Sequence, residues 1–247
     1  MASDNLPWLA ENAPFPAAEM AWDQHSEAPG LLAIGASLDV QTLVAAYSQG
    51  IFPWFSAGQP ILWWSPDPRM VLRPANFKLH RSLRKTIGRF RASPNCEIRV
   101  DSAFESVIES CASSPRLGQA GTWIVPAMVQ AYIELHRAGY AHSIETWVDG
   151  KLEGALYCVA VGNAVFGESM FAHSTDASKI ALTALVALCR EHSVALIDCQ
   201  QNTRHLASLG AGEIPRAEFL AHIRQAQQHA GPVWQFSPLY WQYVLSA

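Results

Sequence analysis

The chain has 247 residues, half of them apolar and 15% charged, with a formal net charge of −4. This is the composition of a folded globular protein, long enough for one large domain or two smaller ones. It excludes a bilayer-spanning helix, since no run approaches the ~18 apolar residues needed.

Residues 1–68 hold seven acids and no Lys or Arg, which argues against a mitochondrial presequence, and the basic and apolar regions of a signal peptide are missing. The first ~30 residues are rich in Pro and Ala without a period, and read as an extended arm or poorly ordered lead-in. Ser37 or Asp39 is placed to cap a helix running to about Gln49, with Gly50 stopping it.

Residues 50–69, GIFPWFSAGQPILWWSPDPR, carry three Trp, two Phe and four Pro. The prolines make this stretch a poor helix and a poor central strand. What remains is a rigid aromatic surface, either a plug under a loop or a platform for a flat or apolar ligand. A basic run follows. Eight of the seventeen Lys and Arg fall between Arg69 and Arg91, with no acid between Pro68 and Cys96. A solvated face would explain the run, but a locally positive patch on an acidic protein also suits a polyanion such as RNA.

Beyond it, Ser102-x-x-Glu105 predicts a capping box opening a helix that buries Phe104, Val107, Ile108 and Cys111. Pro126 suits the first turn of a second helix ending at Gly139. Residues 141–148, 151–161 and 164–170 read as strands joined by Asp149-Gly150 and Gly162-Asn163 turns. Asp176 is expected to cap an apolar helix to about His192. Val194–Gln200 reads as a buried strand, followed by a short helix to Gly210 and an amphipathic helix over 216–229. The order predicts an α+β (mixed α/β) layer fold with a mixed sheet. The boundary is placed between a small N-terminal domain, 1–67, and a larger one, 68–247.

Few motifs carry chemistry outright. Gly30-x4-Gly35-Ala36-Ser37 lacks the Lys of a phosphate loop. His136 and His142 fall on different predicted elements and no His pair has ligand spacing, so no metal is expected. The five Cys are odd in number with no C-x-x-C pair, which suits a reducing cytosol and small buried hydrophobes. Polar residues inside apolar strands say more. Alternation puts Asp198 and Gln200 on one face, and Glu168 and Met170 on one face. Such carboxylates call for partners. Each either caps a loop or pairs with a buried Arg, or they converge as a polar cluster in the cleft of the sheet. Ser178, Leu182, Leu185 and Cys189 form one stripe on the apolar helix, fit for core packing or for a pocket wall whose floor includes Leu156 and Met170.

These residues fall within longer strings. GLLAIGASLD, GIFPWFS, ILWWSPDPR, GTWI at Gly121, HSIE at His142, FGESMF at Phe166, SK at Ser178, LIDCQ at Leu196 and HLASLGA at His205 occur in this order. From about Gly30 to about Pro215 the chain closely resembles the leucyl/phenylalanyl-tRNA–protein transferases. The resemblance implies a bacterial cytoplasmic enzyme of the N-degron pathway. Such an enzyme moves Leu or Phe, and Met less well, from aminoacyl-tRNA to proteins with an N-terminal Arg or Lys. It implies a small N-terminal domain and a C-terminal domain with the fold of the GNAT N-acyltransferases, a mixed, mostly antiparallel sheet, no cofactor, no membrane and a monomer.

Carried over by motif, Glu168, Asp198 and Gln200 become the catalytic polar site. Leu156, Met170, Ser178, Leu182, Leu185 and Cys189 become the pocket for the transferred side chain. Trp54 and Trp123 would flank the 3′-terminal adenosine, and Lys78, Arg81, Arg84, Lys85, Arg89 and Arg91 would hold tRNA phosphates. Leu185 and Cys189 stand where aromatic residues are common in the family, which would enlarge the pocket. Two other readings compete. One is a GNAT-type enzyme using acyl-CoA, disfavoured because residues 171–178 lack the Gly-rich loop that cradles a pyrophosphate. The other is a non-catalytic RNA-binding module, which gives no reason to bury Glu168 and Asp198.

Overall fold

The computed structural model of the protein describes residues 6–114 and 124–246. Its first sheet has four short strands among the described residues, in the order β1-β2-β4-β3: β1 Trp8–Leu9, β2 Leu31–Gly35, β3 Phe52–Pro53 and β4 Leu62–Trp64. Residues 6–30, expected as a loose lead-in, are instead tied down. β1 pairs parallel with β2, Leu9, Ala18 and Ala21 are buried, and the Phe15 ring meets Trp63 edge-on at 4.7 Å. The aromatic–Pro segment also forms strands. The three residues of β4 contain no proline and pair on both sides, while Pro53 sits in the edge strand, where a missing donor is tolerated.

Helix α1, Val40–Tyr47, links β2 to β3. The Asp39 carboxylate caps it by accepting from the Thr42 amide at 2.9 Å, and Gly50 then takes φ +73°.

The second sheet has the strand order β11-β5-β10-β9-β8-β7-β6. Its strands are β5 Arg69–Leu72, β6 Cys96–Val100, β7 Ala141–Val148, β8 Lys151–Val161, β9 Ala164–Ala172, β10 Ile197–Asp198 and β11 Gly212–Ile214. Neighbours run antiparallel except β9 and β10, which are parallel because the buried crossover helix α5, Ala177–Glu191, joins them. The predicted α+β class and mixed, mostly antiparallel sheet are therefore observed. The Asp149-Gly150 turn has φ +50° and +72°, the two positive values a tight hairpin needs.

The remaining helices are α2 Arg81–Ala92, α3 Phe104–Ser113, α4 Pro126–Arg137, α6 Arg204–Ser208, α7 Arg216–Ala226 and α8 Gln242–Leu245. Two caps differ from expectation. Ser102 and Glu105 do not form a box: the Ala103 amide donates to the buried Glu145 carboxylate at 2.9 Å, Ser102 Oγ donates to the same group, and Glu105 pairs with Arg137. Asp176 precedes α5 but is left-handed, φ +65°, and its carboxylate takes Lys179 at 2.8 Å rather than a helix amide.

Two cores lie on the two faces of this sheet. One joins the first sheet, α1, α3, α4 and α7, and the other lies under α5 and α2. In the second core, burial of Leu182 and Leu185 contributes about 1.5–3 kcal/mol each.

Candidate active site

The site forms where β9 and β10 part. Register runs Ile197 with Val165 and Asp198 with Phe166, then stops. On β9, Ser169 faces Tyr157 and Gly167 faces Cys158, so Glu168 has no cross-strand partner on β8 and is the extra residue of a β-bulge. On the other side the strand predicted over 194–200 is only Ile197–Asp198, and Gln200, two residues beyond it, turns left-handed, φ +54°. Glu168 and Gln200 face each other across the gap, with Gln200 Nε2 donating to Glu168 Oε1 at 3.2 Å.

Glu168 is held by two tyrosines. Tyr47 on α1 donates to Oε1 at 2.9 Å, Tyr132 on α4 has its hydroxyl 3.3 Å from Oε2, and the two hydroxyls also bond to each other, so three contacts share two hydroxyl protons unless the carboxyl carries one of its own. Both tyrosines are fully buried, and burial, with the nearby Glu168 charge second, pushes their pKa values well above 10, so they remain donors. Burial likewise pushes Glu168 up to about 8. The Tyr47 bond opposes this, the Asp198 charge adds to it, and Tyr132 and Arg69 oppose it.

Asp198 is held differently. It is buried, and Arg69 grips it with Nε donating to Oδ1 at 2.8 Å and Nη2 to Oδ2 at 2.6 Å. Oδ1 also accepts the Gln200 amide at 2.9 Å. The account in which the buried acid pairs with a buried Arg thus holds for Asp198, and convergence with Gln200 and Glu168 holds as well.

The bulge corrects one expectation. It shifts parity along β9, so Glu168 and Met170 do not share a face. Glu168 looks to Tyr47 and Tyr132 in the first core, while Met170 lies opposite Leu156 and packs under α5. Leu156, Leu182, Leu185 and Cys189 are buried together there, with Met170 and Ser178 half-buried. Burial raises the Cys158, Cys189 and Cys199 thiols, which makes them poor nucleophiles.

Trp54 is half-buried and meets Trp64 edge-on at 5.6 Å, its carbonyl accepting from Trp64 Nε1. Trp63 is fully buried in the first sheet, with Nε1 donating to the Gly35 carbonyl. Trp123 lies outside the described residues. On α2, Leu83, Ile87 and Phe90 face the core while Arg81, Lys85, Arg89 and Arg91 are exposed, as is Lys78 before it. Arg84 is half-buried and donates to the Leu245 carbonyl, which sets it apart from those five.

The sequence reading missed Arg69, Tyr47 and Tyr132. A signal existed for the tyrosines, since each is a polar-tipped aromatic on the buried stripe of its helix: Leu43, Ala46 and Tyr47, then Met128, Tyr132 and Leu135. Arg69 read as the first member of the basic run.

A carboxyl and an amide thus meet at the strand gap, with an apolar cluster and the exposed basic helix α2 on the other face of the sheet. The profile described as leucyl/phenylalanyl-tRNA protein transferase matches residues 71–224, and that of the family's N-terminal domain matches 36–67. A leucyl/phenylalanyl-tRNA–protein transferase of Polaromonas sp. (strain JS666 / ATCC BAA-500) is 67% identical over 98% of this chain and 95% of its own length. One from Albidiferax ferrireducens is 64% identical over 98% and 95%. The chain belongs to this family of aminoacyltransferases. Among solved structures, a GCN5-related N-acetyltransferase from Kribbella flavida has a TM-score of 0.34 at 9% identity, covering 68% of this chain and 58% of that one. Among the described residues, no helix is long and apolar enough to cross a membrane.

Proposed function

We propose that this chain transfers Leu or Phe, and Met less well, from aminoacyl-tRNA to the α-amine of cytoplasmic proteins with N-terminal Arg or Lys, marking them for degradation. The amine attacks the ester carbonyl carbon and loses a proton. The C–O bond to the ribose breaks, and the ribose oxygen leaves as a hydroxyl after taking a proton. An activated ester needs no covalent enzyme intermediate, only a positioned neutral amine and an outlet for its proton.

The observation that carries this reading is the Glu168–Gln200 pair facing across the strand gap, where burial pushes the carboxyl up to about 8. An α-amine titrates at about 7.7–8, so a carboxyl raised toward that range can exchange a proton with it. Glu168 receives the acceptor amine, Gln200 orients it, and Asp198 holds the Gln200 turn. The cluster of Leu156, Met170, Leu182, Leu185 and Cys189, with Ser178 at its margin, takes the transferred side chain and rejects charged ones by desolvation. Trp54 stacks on the terminal adenosine, and Lys78, Arg81, Lys85, Arg89 and Arg91 hold phosphates without reading sequence. The break between the two family profiles, 67 to 71, and between the two sheets supports a domain boundary at 67/68.

The test is to incubate the protein with charged Leu-tRNA and peptides beginning with Arg, Lys or Asp. Transfer to the first two only is expected. Equal transfer to the Asp peptide, or none at all, rejects the reading.

A further inference from the structure

Arg69 belongs to neither the aminoacyl pocket nor the exposed basic helix, yet it is fully buried, and its Nε, Nη1 and Nη2 all donate hydrogen bonds. Its Nε and Nη2 grip Asp198, and its Nη1 donates to the Gly50 carbonyl at 3.1 Å. Its guanidinium carbon lies 4.8 Å from the centre of the Phe52 ring and 4.5 Å from that of Phe219 on α7. Only a planar fork can make both bonds to one carboxylate while stacking between rings, and Lys cannot reproduce it.

Each partner leads to a different substrate. Asp198 fixes the Gln200 amide, and so the left-handed turn that aims the Gln200 side chain at Glu168. Gly50 and Phe52 open the stretch that carries Trp54. That stretch is seated tightly on α7, since a Cβ at Gly50 would stand 2.5 Å from Leu220 Cδ2. One side chain therefore registers the acceptor half of the gap against the half that approaches from the first sheet.

We propose that Arg69 is a positioning residue of the transfer site, acting through Asp198 on the Gln200–Glu168 pair and through Gly50 on the Trp54 stretch. This rests on the transferase reading above.

Four variants test it: Arg69→Lys, Arg69→Met, Asp198→Asn and the double Arg69→Met/Asp198→Asn, each checked for folding by circular dichroism. Misplacement by about an ångström lowers turnover about 10–100-fold, so Arg69→Lys is expected to lose kcat by that factor per folded molecule. The double variant should be no slower than the slower single one, because both act through one pair. The second readout needs no turnover: carbon NMR of the Glu168 carboxyl. With Arg69→Met, the uncompensated Asp198 charge should move its midpoint upward, and Asp198→Asn in the same chain should bring it back. Wild-type kcat in Arg69→Lys, additive losses, or an unmoved Glu168 midpoint would overturn the proposal. A wild-type protein that transfers nothing defeats the functional reading alone, and the NMR series still decides the role of Arg69.

Discussion

The two banks of the strand gap hold their carboxylates by opposite means. On the β10 bank, Asp198 is matched by a full cation, with both oxygens bonded to Arg69. On the β9 bank, the partners of Glu168 among the described residues are the neutral groups of Tyr47, Tyr132 and Gln200. Hydrogen bonds from neutral groups orient a carboxyl and offset its desolvation only in part, so Glu168 rises to about 8. Under the proposed function the bound charge is scaffold, and the carboxyl raised toward neutrality is the one that exchanges a proton. Burial alone says little about which role an acid has, and the kind of partner says more.

The largest expected effect breaks the scaffold bank. Asp198→Ala leaves Arg69 buried without a counter-ion, which is expected to lower stability by about 3–5 kcal/mol and abolish transfer. Urea unfolding and a peptide-transfer assay measure both, and a loss below 1 kcal/mol would mean the pair is not what holds this bank.

Glu168→Gln comes next and should separate stability from activity. Transfer is lost while Leu-tRNA still binds. Below the unfolded pKa, near 4.5, both states are protonated and the change is neutral. Between there and about 8 the folded state keeps a proton that the unfolded state has shed, so wild-type stability falls as pH rises, fully so above 8. The variant is therefore expected to melt higher than the wild type at pH 9 and not at pH 4. A lower Tm at pH 9 would refute the raised pKa.

Tyr47→Phe sharpens the comparison more gently. Removing a donor to the ionised carboxylate moves the Glu168 midpoint further up, and the pH–rate profile should shift alkaline with a several-fold slower rate at pH 7. Tyr132→Phe, whose bond is longer, should shift it less.

The smallest effect lies away from the gap. If the exposed cations of α2 neutralise ~3–5 phosphates, tRNA affinity should fall with salt along a log–log slope of about −2 to −4. A flat response removes α2 from the site.

Much of this was legible in the chain. Helix periods, the Pro126 start and the Asp149-Gly150 turn located α4 and the β7–β9 hairpins, and the unusual acids in strands marked Glu168 and Asp198. Strands β5, β6 and β11 were not foreseen. β5 opens with a charged residue, and Arg69 is buried only because Asp198, 129 residues away, meets it in the fold. β11 is three residues long and rests on pairing with β5. Alternation also failed at Glu168, because a bulge depends on the registers of two strands and leaves no mark in one. The missed cap of α3 has the same origin, since Glu145 lies 42 residues from the amide it holds.

The extra residue on β9 sets a limit on what can vary in this region. Removing the residue at position 168 would close the ladder against β8 with Ser169, Met170 and Phe171 still opposite Tyr157, Leu156 and Ala155, and would leave the strand no place for a carboxyl facing the tyrosines. Chemistry at these positions can change one side chain at a time, but the residue count cannot. Relatives should therefore differ here by substitution and rarely by insertion or deletion.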